Sequence, residues 1–194
     1  WCDPRDPDPL RACLAFDTGP ANAPLNDLLR ARRGLARDEG GALAATGSPD
    51  ETVVEAFLRH PYFTRPAPKS LDRDSFAGLM PAVAALGDAD AAATLVHATA
   101  ASVARGLGLL PSRPETLLVC GGGRHNAAIM AALAARCNLP VQPVEAVGLD
   151  GDMIEAQGFA WLAARVLRGL PTSGPGTTGA PRAVCGGRIS APAG

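Results

Sequence analysis

Leu117-Leu118-Val119-Cys120-Gly121-Gly122-Gly123-Arg124-His125-Asn126 is the stretch on which the fold turns. Thr116 to Cys120 is a continuous apolar run of strand length, and three glycines end it abruptly. A helix is expected from about Asn126 to Cys137, with Ile129, Met130 and Leu133 facing inward. A second strand is expected over Val141–Val144. Strands alternating with helices indicate an α/β architecture, in which ligands gather at the C-terminal ends of strands.

Working outward, Asp88 to Leu109 is the longest helical pattern, closed by Gly108 and Pro111. Asp152 to Arg168 is another helix, apolar over much of its circumference and so expected to be buried. Asn26–Arg37 reads as a short helix. Ser48-Pro49-Asp50-Glu51 reads as a helix start with Ser48 at the cap, running to about His60 before Pro61. Toward the N-terminus, a turn over Asp3–Pro9 leads into an apolar run, Ala12–Phe16, that reads as a buried strand ending at Asp17-Thr18-Gly19-Pro20. Pro66 to Asp74 is a polar, proline-stiffened loop, and from Gly169 onward the composition is that of a loop or tail.

The 194 residues and 19.7 kDa suffice for one domain or one lobe of a larger protein. A net charge of −1 excludes a basic nucleic-acid-binding surface. No apolar stretch approaches membrane-spanning length, so a soluble cytoplasmic chain is expected, with no nucleic-acid or membrane partner. Alanine occurs 38 times, so much of the apolar fraction is small. Arginine occurs 17 times and lysine once, at Lys69. Five cysteines without a CxxC pair fit reduced thiols better than a disulfide framework or a zinc site. The opening on Trp1 reads as a piece of a longer protein. The expected divisions are an entry segment over residues 1–13, a lobe over 14–170 and a Gly/Pro-rich tail over 171–194.

Four segments could carry chemistry. Gly121, Gly122 and Gly123 let a ligand approach the main chain, and the helix start behind them suits a phosphate. Neither GxGxxG nor GxxxxGK[ST] is present, so an ordinary strand-to-helix turn explains them as well. Asp17, at the end of its apolar run, could take a proton from a hydroxyl or hold a metal-bound water, or merely cap its own turn. Asp152 suits a helix cap, with Glu155 in the first turn behind it. Lys69 and Arg73 could meet an anionic group or simply be solvated. His60 and His97 read as structural, while His125 follows the glycines.

Six runs together resemble the anhydro-N-acetylmuramic acid kinase family, specifically its C-terminal half. They are FDTGPANA (16–23), PYFTRPAPKSLDRDSF (61–76), ATLVHATAASVA (93–104), LLVCGGGRHN (117–126), GLDGDMIEAQGFAWLA (148–163) and GLPTSGPGTTGAP (169–181). The resemblance implies one lobe of an actin-like ATPase or sugar kinase (RNase H-like) fold, with a central mixed sheet flanked by helices. It implies conversion of 1,6-anhydro-N-acetylmuramic acid, ATP and water to N-acetylmuramic acid 6-phosphate and ADP, with Mg²⁺, in bacterial cell-wall recycling. Under it, Asp17 is the base that activates water, while Thr18, Gly19, Asn22 and Glu155 shape the substrate end. Gly121, Gly122, Gly123 and Asn126 lie against the nucleotide, and no residue is assigned as a metal ligand. A homodimer is among the assemblies it admits.

Three departures stand out. Ala21 replaces a glycine, Leu71-Asp72 replaces Thr-Gly before Arg73, and the family's N-terminal Gly-Thr-Ser-x-Asp-Gly phosphate loop has no counterpart. The chain alone is therefore expected to be inactive. A non-catalytic sugar or nucleotide sensor of the same fold is the alternative. A methyltransferase-like α/β enzyme is disfavoured, because no acid ends a following strand.

Overall fold

A computed structural model describes residues 1–8 and 10–190; Pro9 of the expected entry turn and the last four residues of the expected tail lie outside it. The chain forms two compact units, one of residues 18–65 and 71–151, the other of residues 1–17, 66–70 and 152 onward.

The larger unit is α/β. Its elements are α1 (Ala23–Arg33), α2 (Glu51–Leu58), α3 (Leu79–Ala82), α4 (Asp88–Leu107), β1 (Leu117–Val119), α5 (Ala127–Cys137) and β2 (Val141–Pro143). β1 and β2 pair in parallel, with Leu117 opposite Val141 and Val119 opposite Pro143. Parallel neighbours need a crossover, and α5 supplies it. Among the described residues the sheet has only these two strands, not the mixed central sheet expected, and β1 is half-buried.

α4 is the spine of this unit. Asp88 and Asp90 in its first turn and Arg105 in its last complement the helix dipole. Its buried face is mostly alanine (Ala91, Ala92, Ala93, Ala98, Ala100 and Ala101), so neighbouring helices approach closely. Two buried hydroxyls on it are satisfied locally: Thr94 Oγ1 donates to Asp90 O at 2.7 Å and Ser102 Oγ to Thr99 O at 2.7 Å. Bulk comes from Phe57, Phe63 and Phe76. Phe57 meets both others edge-on, at 4.9 and 5.0 Å between ring centroids, while Phe63 and Phe76 stack at 5.5 Å.

Two helix starts in this unit differ from the sequence reading. α1 begins at Ala23, where Pro24 suits a first turn, and stops at Gly34, whose φ of +66° is left-handed. The cap of α2 is Asp50, not Ser48, because the Asp50 carboxylate accepts from the main-chain N–H of Thr52 and Val53. Ser48 N–H is instead held by Asp90 at 2.8 Å.

The smaller unit contains α6 (Ile154–Leu167) and α7 (Pro175–Thr178). Residues 12–16 do not form the expected strand. Their main-chain N–H groups go to separate segments: Ala12 to Asp8 O, Leu14 to Trp1 O and Ala15 to Gly176 O. A ladder needs successive bonds to one partner, and only an isolated bridge between Cys2 and Cys13 survives. Gly176 is required here, since a Cβ on it would stand 2.2 Å from Cys13 O. Within the expected tail, Ser173 and Val184 form an isolated antiparallel bridge.

The expected burial of α6 is not observed. None of its residues is buried, and Phe159 and Leu167 are 66% and 71% exposed. An apolar circumference reports what a helix could bury, not whether this chain supplies the cover. Asp152 is not its cap either; Met153 occupies that position, without a capping side chain.

Candidate functional site

The glycine-rich bend leaves β1 at its C-terminal end, and its conformation is set from the protein side. Gly121 has φ +66°, and its N–H donates to Gly151 O at 3.2 Å. Arg124 Nη1 donates to Gly121 O at 2.9 Å, and Arg124 Nε to Glu145 Oε1 at 2.8 Å. The Arg124 side chain is only 4% exposed, and Gly151 lies against it so closely that a Cβ would sit 2.5 Å from Nε. Glu145 also accepts from Gly151 N–H. Hydrogen bonds from its own main-chain N–H, then from Arg124, hold its carboxyl below the usual range. Arg124, Glu145 and Gly151 thus brace the bend, and the sequence reading missed all three. The signal was an arginine directly after the glycines, with an acid and a glycine on the strand-to-helix connection beyond.

Packing does not require these glycines. A Cβ on Gly121, Gly122 or Gly123 would meet nothing within 4 Å, and only Gly121 needs left-handed backbone. Gly122 and Gly123 therefore keep a stretch of main chain bare in front of α5. Asn126 is different. It is buried, its Oδ1 caps α5 by accepting from Ile129 N–H at 3.0 Å, and its Nδ2 donates to Asp38 O at 3.4 Å. Gly41, at φ +79°, comes so close that a Cβ would meet Asn126 Oδ1 at 2.3 Å. Both polar ends of Asn126 serve the fold. His125 is exposed.

Elsewhere in the larger unit, Thr18, Gly19 and Asn22 lie on the turn that leads into α1 and are half-buried. Gly19 is a close-approach glycine: a Cβ there would overlap Ser102 of α4, 2.1 Å from Oγ. Ala21, the departure noted above, takes φ +51°, a conformation that favours glycine. Thr99 Oγ1 holds the Ala21 carbonyl at 2.6 Å, which fixes the turn despite the alanine.

In the smaller unit, Asp17 is exposed, at the end of its extended segment. Its N–H donates to Lys69 O at 3.0 Å. Lys69, the sole lysine, is buried, with its ammonium 5.9 Å from the centre of the Phe16 ring. The Arg73 side chain lies outside the described residues. Glu155 is exposed on the first turn of α6 and lines a ≈ 370 Å³ concavity with Gly158, Phe159, Trp161 and Leu162. Among the described residues no group of three His, Cys, Asp or Glu side chains could hold a metal ion, and no helix is long and apolar enough to cross a membrane.

Residues 7–192 match the protein family described as anhydro-N-acetylmuramic acid kinase. The chain is similar to the anhydro-N-acetylmuramic acid kinase of Cereibacter sphaeroides, at 61% identity over 194 residues, 99% of this chain and 52% of the relative. It is 54% identical to that of Ruegeria sp. (strain TM1040), covering 100% of this chain and 52% of the relative. With that of Caulobacter vibrioides the identity is 55%, over 91% of this chain and 47% of the relative. The chain spans about half the length of the curated relatives it matches.

Proposed function

Because the chain belongs to the anhydro-N-acetylmuramic acid kinase family, we propose that it supplies one half of the active site of an ATP-dependent sugar kinase. It is the C-terminal lobe of a two-lobed, actin-like (RNase H-like) fold. The reaction takes 1,6-anhydro-N-acetylmuramic acid, MgATP and water to N-acetylmuramic acid 6-phosphate and ADP, in the bacterial cytoplasm and within cell-wall recycling.

The observation that carries this reading is the bare main chain at Gly122 and Gly123. Packing needs no glycine at either position, yet Arg124, Glu145 and Gly151 brace the bend around them. A braced bend without side chains, exposed at Gly122 and half-buried at Gly123, ahead of a helix suits a phosphate chain that must be positioned before transfer. The Mg²⁺ travels with that triphosphate as part of the substrate, and one or two carboxylates suffice beside the phosphate oxygens.

Asp17 is the base in this scheme. Its exposed carboxylate takes a proton from water as the water attacks the anomeric carbon. The 1,6-bridge opens, and the released O6 attacks the γ-phosphorus. The hydrogen bond from Asp17 N–H to Lys69 O fixes the main chain from which that carboxylate projects. In the larger unit, Thr18, Gly19 and Asn22 are the residues assigned to the sugar and phosphate end, with Gly19 setting how closely its turn lies on α4; Glu155, in the smaller unit, is assigned to the substrate as well.

The test joins this chain to the half of the Cereibacter relative that it does not span and follows ADP release with the anhydro-sugar as acceptor. Turnover is expected from the joined protein and not from the chain alone. In the joined protein, Asp17→Asn should lower kcat by about 10²-fold or more while KM is kept. Sugar and nucleotide binding without turnover would identify a sensor instead.

A further inference from the structure

Cys2 and Cys13 are 11 residues apart in the sequence and in contact in the fold, and no role assigned above uses either of them. We propose that these two thiols form an oxidisable pair, a modification site that closes to a disulfide when a hydroperoxide is the oxidant.

The Trp1 ammonium nitrogen donates to Leu14 O at 2.8 Å, Leu14 N–H donates to Trp1 O at 2.9 Å, and Asp3 N–H donates to Ala12 O at 2.8 Å. Cys2 and Cys13 lie directly opposite each other between these bonds, as an antiparallel bridge. That makes them a non-hydrogen-bonded pair, the register in which facing Cα atoms come closest, about 4.5 Å apart. Such a spacing falls within the range a disulfide spans without backbone movement. The side chains agree: Cys13 S–H donates to Cys2 Sγ at 3.6 Å.

The other cysteines differ. Cys137 is buried, while Cys120 and Cys185 are exposed. Cys185 gives its S–H to Gly169 O rather than to a sulfur. Within the pair, Cys2 is exposed and Cys13 half-buried. Burial, and then the hydrogen bond with Cys2, push the Cys13 thiol above its ordinary value. Cys2 is therefore the sulfur that meets the oxidant.

The step balances in two stages. Cys2 sulfur attacks the peroxide oxygen, the O–O bond breaks, and an alcohol (or water, from hydrogen peroxide) leaves with Cys2 as a sulfenic acid. Cys13 sulfur then attacks Cys2 sulfur. The S–S bond forms, the S–O bond breaks, and the hydroxide leaves with the Cys13 proton as water. Two thiols have lost two electrons, and one hydroperoxide has gained them.

The experiment treats the whole chain with one equivalent of hydrogen peroxide at neutral pH, alkylates the remaining thiols and digests with trypsin. Cleavage after Arg5 and Arg11 separates residues 1–5 from residues 12–30, so only a Cys2–Cys13 bond holds those two peptides together. The linked pair, two hydrogens lighter than the sum of its parts, is expected as the main oxidation product. It should be at least about tenfold more abundant in the folded chain than in urea-unfolded chain, because folding sets the sulfurs side by side. Cys13→Ser should stop the sequence after its first stage, leaving Cys2 as a sulfenic acid that dimedone traps. Equal yields from folded and unfolded chain, or links to Cys120 and Cys185 as abundant as the Cys2–Cys13 link, would overturn the proposal. So would a Cys13→Ser chain in which Cys2 gains no dimedone.

Discussion

Replacing Gly19 by alanine tests the tightest contact at the proposed substrate turn. The new Cβ would stand 2.1 Å from Ser102 Oγ and 2.6 Å from Ser102 Cβ. Carbon atoms prefer about 3.5–4.0 Å, so one partner must retreat by roughly 1 Å. Ser102 is 1% exposed and has nowhere to go without giving up its bond to Thr99 O. If the turn lifts instead, the bond from Thr99 Oγ1 to Ala21 O is lost. Overpacking costs about 1–3 kcal/mol and the lost hydrogen bond about 0.5–1.5, so a loss of about 2–4 kcal/mol is expected. For a chain of this size that is roughly 5–12 °C in Tm. The control is a double-mutant cycle with Ser102→Gly, which removes the obstructing side chain. In that background Gly19→Ala should cost less than about 1 kcal/mol, giving a coupling of about 2 kcal/mol. Thermal and urea melts of the four proteins read it. The same cost in both backgrounds, or a Gly19→Ala chain that melts like wild type, would refute the close-approach argument.

Two further outcomes follow from the larger unit. Asn126→Ala removes the α5 cap and the tie to Asp38 O together and should cost about 1–2 kcal/mol in a urea melt. Asp88 is held below the ordinary carboxylate range by hydrogen bonds from Arg33, then Arg32. A depressed folded value means that its contribution is full above the unfolded value of about 3.9. It disappears as pH falls through the lowered folded value. The stability difference between wild type and Asp88→Asn should therefore be steady near neutrality and close to zero at the acid end of a pH series.

α4, α5 and both strands were legible because each has a strong local signal. α4 is a long alanine-rich run with acids at its start, and α5 lies between the glycine bend and Leu139-Pro140. The cap of α2 was misread because Ser48, Pro49 and Asp50 all suit a helix start; the choice fell to Asp90 and Thr94, which hold Ser48 and Asp50 N–H from 42 and 44 residues away. Ala12–Phe16 has a strand's composition, but its N–H groups are divided among Asp8, Trp1 and Gly176, which no local pattern announces. Composition predicted an inward-facing α6, yet burial depends on a partner and the helix is open. At the candidate site, the triple glycine and Asp17 were visible as residue types. The brace of Arg124, Glu145 and Gly151 was not, because it forms only when a 21-residue separation closes.

The most direct test of the account is a paired reading, on the joined protein, of Tm and of MgATP affinity for Gly122→Ala. No atom within 4 Å opposes that methyl group, and the backbone there is not left-handed. Stability should stay within about 0.5 kcal/mol of wild type. Nucleotide affinity should fall at least about tenfold if the proposed role holds, because a methyl at this position would then stand between the phosphate and the main chain. Unchanged affinity at unchanged stability would contradict the claim that this bend is kept bare for a nucleotide.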